Sequence, residues 1–176
     1  MRRIHILLTA PPRTGKTTLV RRLAETLREA EAPVRGFLTD EIREEGARLG
    51  FMVTEIGGPG AVLAHIDRNS GPRVGRYRVD IAAFERIALP AIEHALSTPD
   101  AIVILDEIGM MELLSQPFVA RLNVLFTADI PLVATVHERP HPVTDALKAL
   151  PYVETVTVTK ANRDRLPEEL SRRLLA

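Results

Sequence analysis

Two clusters of residues in this chain have types and spacings that can do chemistry. The first is Ala10-Pro11-Pro12-Arg13-Thr14-Gly15-Lys16-Thr17, with Thr18 directly after it. It falls where an apolar run gives way to a helical pattern. A loop that wraps an anion must aim several backbone N–H groups inward, and a helix N-terminus supplies both those amides and a favourable dipole. Gly15 lets the backbone approach closely. Lys16 has the reach for the β- and γ-phosphates of a nucleotide, and Thr17 offers a hydroxyl to Mg²⁺. This is the Walker A pattern with alanine in its first position. Glycine is common where Arg13 stands, which leaves three readings of that residue: an unusual backbone angle, a side chain turned to solvent, or a charge brought near the γ-phosphate.

The second cluster is Val103-Ile104-Leu105-Asp106-Glu107-Ile108-Gly109. It closes the most apolar run of the chain and has the Walker B form. A buried strand carries Asp106 to its C-terminal end, where open α/β sheets bind ligands. There the carboxylate can hold Mg²⁺ through water. Glu107 is placed to orient or deprotonate an attacking water. The expected metal-holding residues are thus Thr17 and Asp106, and the expected catalytic pair is Lys16 and Glu107. Residues 10 to 18 and 103 to 109 are expected to line a nucleoside triphosphate. The second carboxylate favours hydrolysis over transfer to an acceptor, because simple nucleotide kinases often lack it.

These clusters need elements to hold them, and the chain alternates between two hydrophobic periods. Short apolar runs at 4–9, 34–39, 101–105, 132–136 and 153–158 predict strands. Helical patterns fill 16–30, 80–97, 116–127 and 163–175; Asp80 is a suitable N-cap, and Pro90 is a candidate kink. Strands separated by helices argue for a mostly parallel sheet with helices on both faces. Residues 41 to 79 differ. Seven glycines there separate short alternating pieces, which predicts hairpins that extend the sheet in antiparallel fashion.

The chain has 176 residues, enough for one compact domain over residues 1–176. Lys plus Arg and Asp plus Glu number 23 each, so the net charge is zero and no nucleic-acid partner is expected. There is no cysteine, so no disulfide or thiolate chemistry is available. The apolar run at the start stops at Ala10, too short for export or for spanning a bilayer, and no other run approaches 18 residues. The expectation is a cytoplasmic monomer acting on free nucleotides, without membrane attachment.

Several further blocks accompany the two motifs: Gly36-Phe-Leu-Thr-Asp-Glu-Ile-Arg43 with Gly46, Arg48, Gly50 and Phe51; Val74-Gly-Arg-Tyr77; Leu105-Asp-Glu-Ile-Gly109 with Met111, Glu112, Leu113, Ser115 and Phe118; and Val158-Thr-Lys-Ala-Asn-Arg163. Together with Pro11 to Leu19 they resemble the small THEP-type nucleoside triphosphatases over most of the chain. The resemblance implies a three-layer, RecA-like P-loop NTPase fold. It also implies slow hydrolysis of ATP, GTP and other triphosphates to diphosphate and phosphate. Two positions depart from the family pattern. Arg13 stands where it usually has Gly, and Met110 where it often has Lys, so Arg13 becomes a candidate substitute for that charge.

Other residues have narrower roles. Arg43 or Arg48 is a candidate arginine finger, with Glu41 a candidate partner for either. Asn162, after the last strand, is a candidate base reader or a local cap. His137 follows a strand that leads toward the γ-phosphate. His137 and His141 lack the further ligands a zinc site needs. Besides hydrolysis, the same scaffold can serve a small-molecule or nucleotide kinase, recognised by acceptor-dependent ATP use. It can also serve a nucleotide-gated binding module, recognised by a partner held only with ATP analogues.

Overall fold

The computed structural model describes residues 4–176. Its strands are β1 (His5–Thr9), β2 (Val34–Glu44), β3 (Ala47–Glu55), β4 (Gly60–His65), β5 (Arg73–Val74), β6 (Tyr77–Val79), β7 (Ile102–Ile108), β8 (Leu132–Val136) and β9 (Val153–Thr157). Its helices are α1 (Lys16–Glu29), α2 (Ile81–Ser97), α3 (Gln116–Thr127), α4 (Pro142–Lys148) and α5 (Leu166–Leu175), with a 3₁₀ turn at Glu112–Leu114. All nine strands form one sheet in the order β5-β6-β4-β3-β2-β7-β8-β1-β9. The run from β2 to β9 is parallel, and β3 to β6 extend it in antiparallel fashion.

The alternation of side chains along each strand builds a core on both faces. In β7, Val103 and Leu105 face the cluster that contains Phe84 of α2 and Phe118 of α3. Ile102 and Ile104 face the cluster of Leu19, Leu23 and Leu27 from α1 and Leu170 from α5. β1 divides in the same way, with Leu7 on one side and Ile6 and Leu8 on the other. Burying each such side chain stabilises the fold by about 1.5–3 kcal/mol, which explains why these strands read as continuous apolar runs.

Local signals set the helix ends. Asp80 caps α2 by accepting from the Ala83 amide at 2.9 Å, and Ser115 caps α3 by accepting from the Phe118 amide at 3.1 Å. Pro90 sits inside α2 without ending it. Three boundaries and one additional helix differ from expectation. β2 continues to Glu44 and β7 to Ile108, α5 begins at Leu166, and α4 was not anticipated.

The order of strands positions the site. β8 lies between β1, which leads into the phosphate loop, and β7, which carries the acidic pair. The loop and the acids therefore sit one strand apart at the same edge of the sheet, with the end of β8 between them.

Candidate active site

The phosphate loop is shaped by its own turns. Thr14 donates to the Pro11 carbonyl through both its hydroxyl, at 2.7 Å, and its amide, at 3.3 Å. Gly15 follows with φ 102°, in the left-handed region where glycine carries no steric cost. Among the described residues no side chain caps α1. The amides of its first turn are thus free of capping partners and point where an anion would bind. Arg13 adopts φ 64° and is exposed, so two of its three readings hold together: a left-handed backbone and a solvent-facing side chain. Pro11, Pro12, Thr17 and Thr18 are also exposed, whereas Ala10 is buried beneath the loop.

Lys16 spans the gap between the strands. Its Nζ donates to the Val136 carbonyl at the end of β8, at 3.0 Å, and lies 3.5 Å from Glu107 Oε2. Asp106 is only 1% exposed. Thr135 of β8 donates to its Oδ1 at 2.5 Å, and Thr39 of β2 donates to its Oδ2 at 3.5 Å. Burial pushes the Asp106 carboxyl up to about 6 against the Thr135 hydrogen bond; the nearby Glu107 charge raises it further, while Thr17 and Lys16 oppose.

A third carboxyl stands behind this pair. Glu112, in the 3₁₀ turn, is buried and its pKa lies well above the usual carboxylate range, first through desolvation and then through the Glu107 charge. Its own amide and that of Gly109 partly compensate. Gly109 separates the two glutamates. A Cβ there would come 2.7 Å from Glu107 Oε1 and 2.9 Å from Glu112 Oε2, so glycine keeps both side chains in place.

The remaining candidates are distributed as follows. Val103, Ile104, Leu105 and Ile108 are fully buried in the two cores. They present no surface to a ligand and serve by carrying Asp106 and Glu107. Glu41 pairs with both Arg43, at 2.5 Å, and Arg48, at 2.8 Å. Burial would raise the Glu41 pKa, but the Arg48 and Arg43 hydrogen bonds outweigh it and hold it below its ordinary value. Arg48 also donates to the Tyr77 hydroxyl at 2.8 Å. Neither arginine contacts Lys16 or Asp106. Asn162 accepts from the Thr159 amide at 2.8 Å and donates to the Thr157 carbonyl at 3.0 Å, so both ends of its amide hold its own loop. His137 has its Nδ1 3.2 Å from the Ile108 carbonyl, beside the acidic pair.

Four contributors have no role in the sequence reading: Thr39, Glu112 and Arg163, which stand within the blocks quoted above, and Thr135. Thr135 had a signal, as the one hydroxyl in the run Leu-Val-Ala-Thr-Val. Arg163 Nη1 donates to the Thr14 carbonyl at 3.1 Å, across 149 positions of sequence, and no local pattern announces such a contact.

The family model described as NTPase matches residues 5–171. The chain belongs to this nucleoside-triphosphatase family. It is 39% identical over 177 residues to a nucleoside-triphosphatase THEP1 from Methanosarcina acetivorans, covering 98% of this chain and 97% of that one. It is 36% identical over 174 residues to the cancer-related nucleoside-triphosphatase of Homo sapiens, covering 92% of each. Its fold superimposes on the crystal structure of THEP1 from Aquifex aeolicus with a TM-score of 0.87, at 30% identity, covering 98% of this chain and all of that one. The solution structure of a human cancer-related nucleoside triphosphatase gives a TM-score of 0.83 at 33% identity, covering 97% of each chain. The chain is therefore an NTP hydrolase with the α/β P-loop fold of this family.

Proposed function

We propose that the chain hydrolyses nucleoside triphosphates to diphosphate and phosphate with Mg²⁺, slowly and with little preference among ATP, GTP, CTP and UTP. The observation that carries this reading is the meeting of Lys16, Glu107 and Asp106 between the ends of β1, β8 and β7. Lys16 exchanges the Val136 carbonyl for phosphate oxygens, and the uncapped amides of α1 receive the others. That exchange also loosens Glu107 from the lysine, which lets its carboxylate accept a proton as water attacks the γ-phosphorus and the bridging oxygen departs with the diphosphate.

The residues present fit a hard divalent cation. Asp106 supplies a carboxylate whose ionised form is penalised by burial, a cost that an adjacent cation offsets, and the Thr17 hydroxyl is the second oxygen. When bound, Mg²⁺ would neutralise charge on the phosphate oxygens. Arg43 or Arg48 adds a further positive charge once it leaves Glu41.

Phosphate release from the four triphosphates tests this reading, with a chelator and Lys16→Ala as controls. Release should disappear in both controls, and Arg43→Ala or Arg48→Ala should lower kcat. Nucleotide binding without Lys16-dependent release would rule out hydrolysis at this site.

A further inference from the structure

A cavity of about 270 Å³ opens beside the phosphate loop, lined by Gly15, Thr18, Leu19, Arg22, Arg163 and Asp164. It shares Gly15 with the loop, runs along the first turns of α1, and is closed on its other side by the segment after β9. A planar base attached to a triphosphate on this loop needs a wall of its own. Aromatic side chains are the usual choice, but none of the five phenylalanines or two tyrosines lines the cavity, and the chain has no tryptophan. Asn162 is committed to its own loop. The planar groups that remain are the guanidiniums of Arg22 and Arg163.

Arg163 is the better placed of the two. Its Cδ and Nη1 lie 3.6 and 3.8 Å from the position of a Cβ on Gly15. Nη1 donates to the Thr14 carbonyl, and Asp164 Oδ1 stands 4.0 Å from Nε. The group is thus held in place, yet its side chain remains 39% exposed. A guanidinium fixed on one side and open on the other can stack on a ring.

We propose that Arg163 is the base platform of this site: it stacks on the base of the bound triphosphate while bracing the phosphate loop through Thr14. The inference rests on the nucleotide reading above and deepens it. A platform recognises the face of a base, which all four bases share, and not the donor and acceptor pattern of its edge. Affinity should then follow ring area, with ATP and GTP a few-fold above CTP and UTP, a spread in binding that leaves turnover at saturating nucleotide with little preference among the four. The same arginine joins base occupancy to the geometry of the loop.

The test is to titrate the non-hydrolysable β,γ-imido analogues of ATP, GTP, CTP and UTP, and the imido analogue of inorganic tripolyphosphate, each with Mg²⁺, into the unaltered chain, Arg163→Ala and Arg163→Lys. Arg163→Ala should weaken ATP and GTP about tenfold and tripolyphosphate much less. Arg163→Lys keeps the charge without the planar face and should resemble the alanine variant for the purine nucleotides. An equal loss for tripolyphosphate and the nucleotides would make Arg163 a brace alone and overturn the platform. Unchanged nucleotide affinity in Arg163→Ala would overturn it as well. Affinity is read without turnover, so the platform is judged separately from the hydrolysis proposed above.

Discussion

Asp106 combines burial with the charge that the proposed cation site asks of it. Its folded pKa of about 6 lies above its ordinary value of 3.8, so the native state holds the proton more tightly than the unfolded chain does. The carboxyl therefore adds stability below pH 4, and that contribution is lost as pH rises through 6. In metal-free protein, Asp106→Asn removes this dependence. Its melting temperature at pH 7 should exceed that of the unaltered chain, by an amount on the order of 2–3 kcal/mol in stability. Equal melting temperatures at pH 7 would show that Asp106 is not strained by burial. Glu112 extends the same logic. Held neutral by burial, it should tolerate Glu112→Gln with little loss, whereas Glu112→Ala opens a void and should cost about 1–3 kcal/mol in chemical denaturation. A large loss in Glu112→Gln would mean the carboxyl is charged after all.

At the scale of elements, the contact between β2 and β7 sets where Asp106 stands. Gly36 pairs with Ile104 and adopts φ 116°; a Cβ there would fall 1.9 Å from the Ile104 carbonyl oxygen. Gly36→Ala must push β2 away from β7, which draws Thr39 from Asp106. A loss of roughly 3 kcal/mol or more is expected in denaturant melts, with phosphate release falling alongside. Full stability in that variant would contradict the close approach. Gly36 stood in the sequence without that reason, because the demand comes from the neighbouring strand. The central strands and most helices were legible from apolar runs and periodicity. β7 was cut short because Asp106 and Glu107 interrupt the apolar pattern while the strand continues beneath them. β2 was cut short because its outer half is a polar hairpin arm, paired with β3 and not buried. α4 has only seven residues between prolines and histidine, and its pattern is that of a turn. At the site, the two motifs were legible because their residues are contiguous. Thr39, Thr135 and Arg163 were not, because they arrive from separate strands and loops.

For the whole molecule, the site is a junction of three parallel strands and the loop after the last one. An occupant of such a junction binds only the folded chain and must stabilise all of it. A non-hydrolysable triphosphate analogue with Mg²⁺ at a hundred times its Kd should add about 2.7 kcal/mol, seen as a higher melting temperature. A chelator should remove most of that gain, and a gain that survives chelation would argue against the cation. Among the described residues no helix is long and apolar enough to cross a membrane.

The position of β1 between β8 and β9 has a consequence for how the protein is made. His5 pairs with Leu132 on one side and Val153 on the other, and Arg163 braces the loop at Thr14. A ribosome therefore releases the phosphate loop well before the two strands that flank β1. Until those strands emerge, a nascent chain carries the motif without the pocket, and the motif becomes a site only when β8, β9 and the segment after β9 have joined it.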